Sequence, residues 1–188
     1  MSELASPGQL RAALLRWSLF LAPLFLMLGF FSGRLAGSGG GNPWFMELTK
    51  PSLYPPPATF GIVWSILYVL MGIALAMVVT ARGAPGRNAA IMVFAVQFVL
   101  NLAWSPLFFG AQQITSALVL LVVIDIAVII TVLLFRKVRP MAAYLLLPYL
   151  AWVLFATLLN WQFLQANPDG GHGTELVQHL NQPMQEAI

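Results

Sequence analysis

Five long apolar runs, separated by short polar connectors, organise this chain. They cover about residues 17–36, 60–81, 88–109, 114–135 and 141–164. The last four are about 22 residues each, or about 33 Å of helix at 1.5 Å per residue, enough to cross the hydrocarbon core of a bilayer. Pro23 interrupts the first run, and a helix in lipid tolerates this where neighbours satisfy the freed carbonyl. The pattern predicts an all-α membrane protein, a five-transmembrane-helix bundle. Residues 1–16 read as a polar N-terminal segment and residues 165–188 as a polar, mobile tail. The first run has a second reading as a cleaved signal peptide. Arg11 and Arg16 precede it and small residues Ala36, Gly37 and Ser38 follow, but the run is long for that role.

The connector between the first two runs stands apart. Gly37 to Pro43 is a glycine-rich hinge. It leads into Trp44-Phe45-Met46-Glu47-Leu48-Thr49-Lys50-Pro51-Ser52-Leu53-Tyr54-Pro55-Pro56-Pro57. Prolines hold such a segment extended and leave it few states to lose on binding. This loop is expected to be the rim and lid of a ligand cavity inside the membrane.

Polar and aromatic residues recur at helical spacing within the runs. At about 100° per residue, Phe60, Trp64, Tyr68 and Met71 share one face of the second span. Gln97, Asn101, Trp104, Ser105 and Phe108 share a face of the third, and Tyr149, Trp152, Ala156 and Asn160 a face of the fifth. Lipid does not select such faces, so they should meet one another or a ligand. Asn and Gln can simply join helices, but three faces together point to a cavity. Trp17, Trp44 and Trp161 lie near span ends, where tryptophan also serves as an interfacial belt. Asp125 lies in mid-span, where an uncompensated charge costs about 3 kcal/mol. Its same-face neighbours are apolar. It must therefore reach another helix, water or a ligand, or stay protonated. A ligand bond and a structural bond to Asn101 or a tryptophan N–H are both open.

Composition narrows the class. The chain is 60% hydrophobic and only 8% charged, too little charge to cover a water-facing surface. There are no cysteines, hence no disulfide and no thiolate metal site. The pI near 9.7 does not signal nucleic acid, because the formal net charge is only +3 and the basic residues sit at span ends. Arg11, Arg16, Arg82, Arg87, Arg136, Lys137 and Arg139 fall on one side of a five-span protein, and only Arg34 and Lys50 on the other. Positive charge marks the cytoplasmic side. This predicts a cytoplasmic N-terminus, with the long first loop and the C-terminus opposite. No metalloprotease, phosphate-loop or nucleophile-elbow motif occurs, and Asp125 has no carboxylate partner for acid–base work. His172 and His179 read as tail residues rather than metal or haem ligands. No internal repeat of the kind common in secondary transporters is visible.

Three segments together resemble one known family. The first is Trp44…Leu48-x-Lys50-Pro51…Pro55-Pro56…Phe60-x-x-x-Trp64-x-x-Leu67-Tyr68. The second is Asn101-Leu102-Ala103-Trp104-Ser105-Pro106-Leu107-Phe108-Phe109-Gly110. The third is Leu147-Pro148-Tyr149-Leu150-Ala151-Trp152…Phe155-Ala156…Leu159-Asn160. In this order and spacing, over residues 17–164, they resemble TspO, the tryptophan-rich sensory protein related to the mitochondrial translocator protein. The resemblance implies a five-helix bundle, usually a homodimer, with a pocket beneath the first loop. It implies as ligands porphyrins such as protoporphyrin IX and haem, sterols and drug-like benzodiazepines, with no obligatory cofactor. Matching pocket positions are Trp64, Asn101, Trp104, Asp125, Trp152 and Ala156; Trp44, Tyr68 and Tyr149 join them from the loop and the helix faces.

The chain also departs from that family. Many members carry Trp where Leu53 stands and Arg-Trp where Pro57-Ala58 stand, so this lid is less aromatic and lacks the arginine that would pair with a propionate. Asn160-Trp161-Gln162-Phe163 lacks the tyrosine and basic residue of the mammalian cholesterol motif. The expected function is binding of a tetrapyrrole for sensing or transport. Stacking would fall to Trp64 and Trp152, and polar anchoring to Asn101 and Asp125. Light-dependent porphyrin breakdown and carriage of a sterol or lipid are the alternatives, since all three need the same aromatic pocket.

Overall fold

A computed structural model describes residues 6–170; His172 and His179 lie outside the described residues. Six helices occur in the order α1 (Pro7–Leu35), α2 (Pro43–Glu47), α3 (Pro57–Thr80), α4 (Arg87–Ser105), α5 (Ile114–Val138) and α6 (Pro140–Ala166). No strand occurs among the described residues. Five helices are long and apolar enough to cross a membrane, α4 doing so together with the turn that follows it. The short α2 lies within the first loop.

The first span begins well before residue 17. Ser6 accepts from the Gln9 amide at 3.3 Å while the Gln9 side chain accepts from the Ser6 amide at 2.9 Å. With Pro7 at the first helical position, this closes a capping box that starts α1 there. Most of the expected polar N-terminal segment is therefore helix. The first loop also departs from a purely extended lid. Asn42 accepts from the Phe45 amide at 3.0 Å and, with Pro43 next, nucleates α2.

The spans close into a ring in which α1 packs on α3, α3 on α6, α6 on α5, and α5 on α4, with a lighter contact between α4 and α1. Gly72 permits the closest approach. A Cβ placed there would lie 2.6 Å from the Ala22 backbone, so α1 and α3 meet nearly backbone to backbone. Leu21 and Phe25 of α1 enter the core, making the first span an integral part of the bundle. Phe25, Phe94, Phe98 and Phe135 form an aromatic layer with successive centroids at 4.4 to 6.3 Å.

The third span does not run straight through. Pro106 has no N–H to bond the Leu102 carbonyl, four residues earlier. The Ser32 hydroxyl of α1 donates to that carbonyl instead, at 2.6 Å. The chain then widens into a π-helical turn over Pro106–Gly110, closed by the Ala111 amide on the Pro106 carbonyl at 2.8 Å. This turn presents Phe108 and Phe109 beneath the first loop.

Candidate functional site

The ends of α1, α3, α4 and α6 nearest the first loop diverge around a cavity of about 790 Å³. This falls within the range of small-molecule sites, roughly 300–1,000 Å³. Phe60, Trp64 and Tyr68 line it from α3; Asn101, Trp104 and Ser105 from α4; Trp152, Ala156 and Asn160 from α6. The three faces read from helical spacing thus converge on one space. Trp64, Trp104 and Trp152 are each half-buried, with part of each indole left open.

Each indole is held by neighbours. Trp64 stacks on Tyr68 at 5.1 Å and 27°. Trp104 stacks on Phe108 at 5.1 Å and 21°. Trp152 meets Phe60 edge-on at 5.9 Å. The Tyr68 hydroxyl donates to Asn101 Oδ1 at 3.4 Å. A Cβ at Gly29 would lie 2.2 Å from the Tyr68 ring, so only glycine leaves that ring its place. Asn160 donates to the Ile114 carbonyl at 3.0 Å, tying α6 to the start of α5.

Three residues expected at the site stand outside this wall. Trp44 does not line the cavity. It is buried against Phe108 at 5.5 Å, and its Nε1 donates to the Gly170 carbonyl at 3.0 Å. Its apolar bulk fills the small core beneath the loop, and its one polar atom closes the loop onto the end of α6. Tyr149 is fully buried. Its ring supports Trp64 at 6.2 Å, and its hydroxyl donates to Gln97 Oε1 at 2.8 Å, joining α6 to α4. Asp125 finds a partner on another helix, though neither Asn101 nor a tryptophan. Thr157 of α6 donates to its Oδ2 at 2.7 Å, while Oδ1 has no hydrogen-bond partner among the described residues. Asp125 acts here as a bond between α5 and α6.

Two features of the lid were not anticipated. Lys50 folds back over α2. Its ammonium donates to the carbonyls of Phe45, Met46 (3.3 Å) and Leu48 (2.8 Å), and lies 4.5 Å from the centre of the Phe45 ring. A cation there satisfies carbonyls left open at a helix C-terminus, and partial burial lowers its pKa from the ordinary lysine value. Asn167, just past α6, clamps the loop backbone. It accepts from the Thr49 amide at 2.8 Å and donates to the Thr49 carbonyl at 3.0 Å. A third bond, to the Phe163 carbonyl at 2.9 Å, fixes the side chain. Asn-Pro after a helical run signals a helix end, and nothing in the local sequence reveals the backbone it grips.

This arrangement is an integral membrane protein with an aromatic, largely neutral cavity under a clamped loop. A model of the TspO/MBR family matches residues 20–165. The tryptophan-rich protein TspO of Chlorobaculum tepidum is 43% identical over 126 residues, covering 66% of this chain and 80% of that protein. The human translocator protein is 40% identical over 136 residues, 71% of this chain and 80% of its own. The tryptophan-rich sensory protein of Cereibacter sphaeroides is 32% identical over 126 residues, 67% and 78%. The chain belongs to the TspO/MBR family.

Proposed function

We propose that the cavity binds a tetrapyrrole, and that the protein senses or moves porphyrins within the membrane. The observation that carries this reading is a space of about 790 Å³ walled by three half-open indoles. A flat macrocycle needs aromatic faces to stack on and few polar contacts to orient it. Trp64 and Trp152 supply faces, Asn101 a polar anchor, and the loop held by Lys50 and Asn167 the lid. Relatives named translocator protein and tryptophan-rich sensory protein support transport or sensing as the role. The same reading takes the protein as a homodimer, with the N-terminus cytoplasmic and the loop opposite, as the distribution of basic residues favours.

Tryptophan fluorescence of purified protein, titrated with protoporphyrin IX, tests the reading. Saturable quenching at micromolar ligand or below, weakened in Trp152→Phe, supports it. Quenching that never saturates, or that Trp152→Phe leaves unchanged, refutes it.

A further inference from the structure

Positive charge is scarce at the cavity end of the bundle. Of nine Lys and Arg residues, only Arg34 and Lys50 lie there. Lys50 is engaged with the carbonyls that end α2. Arg34, in the last turn of α1, is different. It lines the cavity beside Gly33, Gly37 and Ser38, is exposed, and its guanidinium makes no hydrogen bond among the described residues. It is also the only charged side chain in the wall among the described residues, since no Asp, Glu, His or Lys of theirs lines the cavity. The rim around it is open: a Cβ at Gly39 or at Gly41 would meet nothing within 4 Å. Among the described residues the cavity is therefore a neutral aromatic slot with one unpaired cation at its mouth.

Two ordinary roles are available to such an arginine. It offsets the carbonyl end of α1, and at a membrane boundary it can meet a lipid phosphate. Neither role calls for a position in the cavity wall. We infer that Arg34 recognises a carboxylate, so that the site selects flat amphipathic acids, ring system on the indoles and acid group at the rim, over neutral molecules of the same shape. A planar guanidinium offers two parallel donors to a carboxylate. This inference rests on the cavity being the tetrapyrrole site.

The test uses the full chain in phosphatidylcholine nanodiscs and two probes, protoporphyrin IX and its dimethyl ester, which differ only in charge at the rim. Wild type should bind the diacid more tightly than the ester. Arg34→Gln should weaken the diacid roughly three- to tenfold, as for an ion pair near the surface, and leave the ester unchanged; Arg34→Lys should restore part of the loss. Equal weakening of both probes, or of neither, overturns the assignment. If Arg34 instead holds a lipid phosphate, Arg34→Gln lowers the melting temperature while both affinities stay put, which also overturns it. Wild type that binds neither probe refutes the tetrapyrrole reading itself. Wild type that binds both equally, with Arg34→Gln silent, refutes only the role of Arg34.

Discussion

Replacing Asn167 with alanine should loosen the lid without unfolding the bundle. The side chain makes two hydrogen bonds to the Thr49 backbone, at 2.8 and 3.0 Å, that join the first loop to the end of α6. A typical bond contributes about 0.5–1.5 kcal/mol net, so the pair should hold the closed loop by about 1–3 kcal/mol. If the loop opens locally, hydrogen exchange of amides around Thr49 should accelerate roughly 5- to 150-fold, the same energy expressed as a population. Trp44 still donates to Gly170 in the variant, which keeps the opening partial. Asn167→Asp retains the acceptor for the Thr49 amide and loses the donor to its carbonyl, so it should fall between the two. Exchange measured by mass spectrometry in detergent or nanodiscs reads this directly. Acceleration should be confined to the loop, about residues 42–56, with the cores of α3 and α5 unchanged. An unchanged loop, or acceleration spread evenly over all spans, would refute the clamp.

Three further substitutions probe the frame around the cavity. Gly29→Ala places a methyl 2.2 Å from the Tyr68 ring and should displace it from Asn101, reducing porphyrin affinity in a quenching titration; Gly61→Ala, also in the wall but with open space at its Cβ, should have little effect. Gly72→Ala crowds the Ala22 backbone and should cost about 1–3 kcal/mol, the range for overpacking, visible as a lower melting temperature in detergent. Thr157→Val removes the one partner of Asp125 and should destabilise by about 1–3 kcal/mol, the cost of stranding a buried acceptor; because Asp125 stands outside the cavity wall, porphyrin affinity should hold.

The bundle was legible because lipid imposes a simple rule: each span must be apolar over about 20 residues and must satisfy its own backbone. The convergent faces were legible for a related reason, since Phe60, Trp64 and Tyr68 on α3, Asn101, Trp104 and Ser105 on α4, and Trp152, Ala156 and Asn160 on α6 recur at helical spacing where lipid would not retain them. Span ends were less legible. Ser6, Pro7 and Gln9 carry a capping-box pattern that the eye passes over, because hydropathy rises only later, near residue 17. Pro106 was read as part of a continuous span. Its consequence, a freed carbonyl taken by Ser32 seventy residues away, depends on a neighbour that sequence cannot place. Trp44 and Asp125 show the same limit from the other side. Their residue types left ligand, lipid interface and protein bond open, and nothing local in the sequence names the partners that packing gives them, Gly170 and Thr157. Asn167 escaped notice because its clamp is a long-range bond to backbone, which leaves no local pattern.

Filling the cavity tests the ligand site most directly. Ala156 is a small residue in the wall, on the same face of α6 as Trp152. Ala156→Trp should occupy the space a macrocycle needs with a large, mostly apolar ring system. Saturable quenching by protoporphyrin IX should then disappear, with the melting temperature equal to or above that of wild type. Unchanged porphyrin affinity in a folded Ala156→Trp protein would place the ligand elsewhere, on the lipid-facing surface rather than beneath the loop.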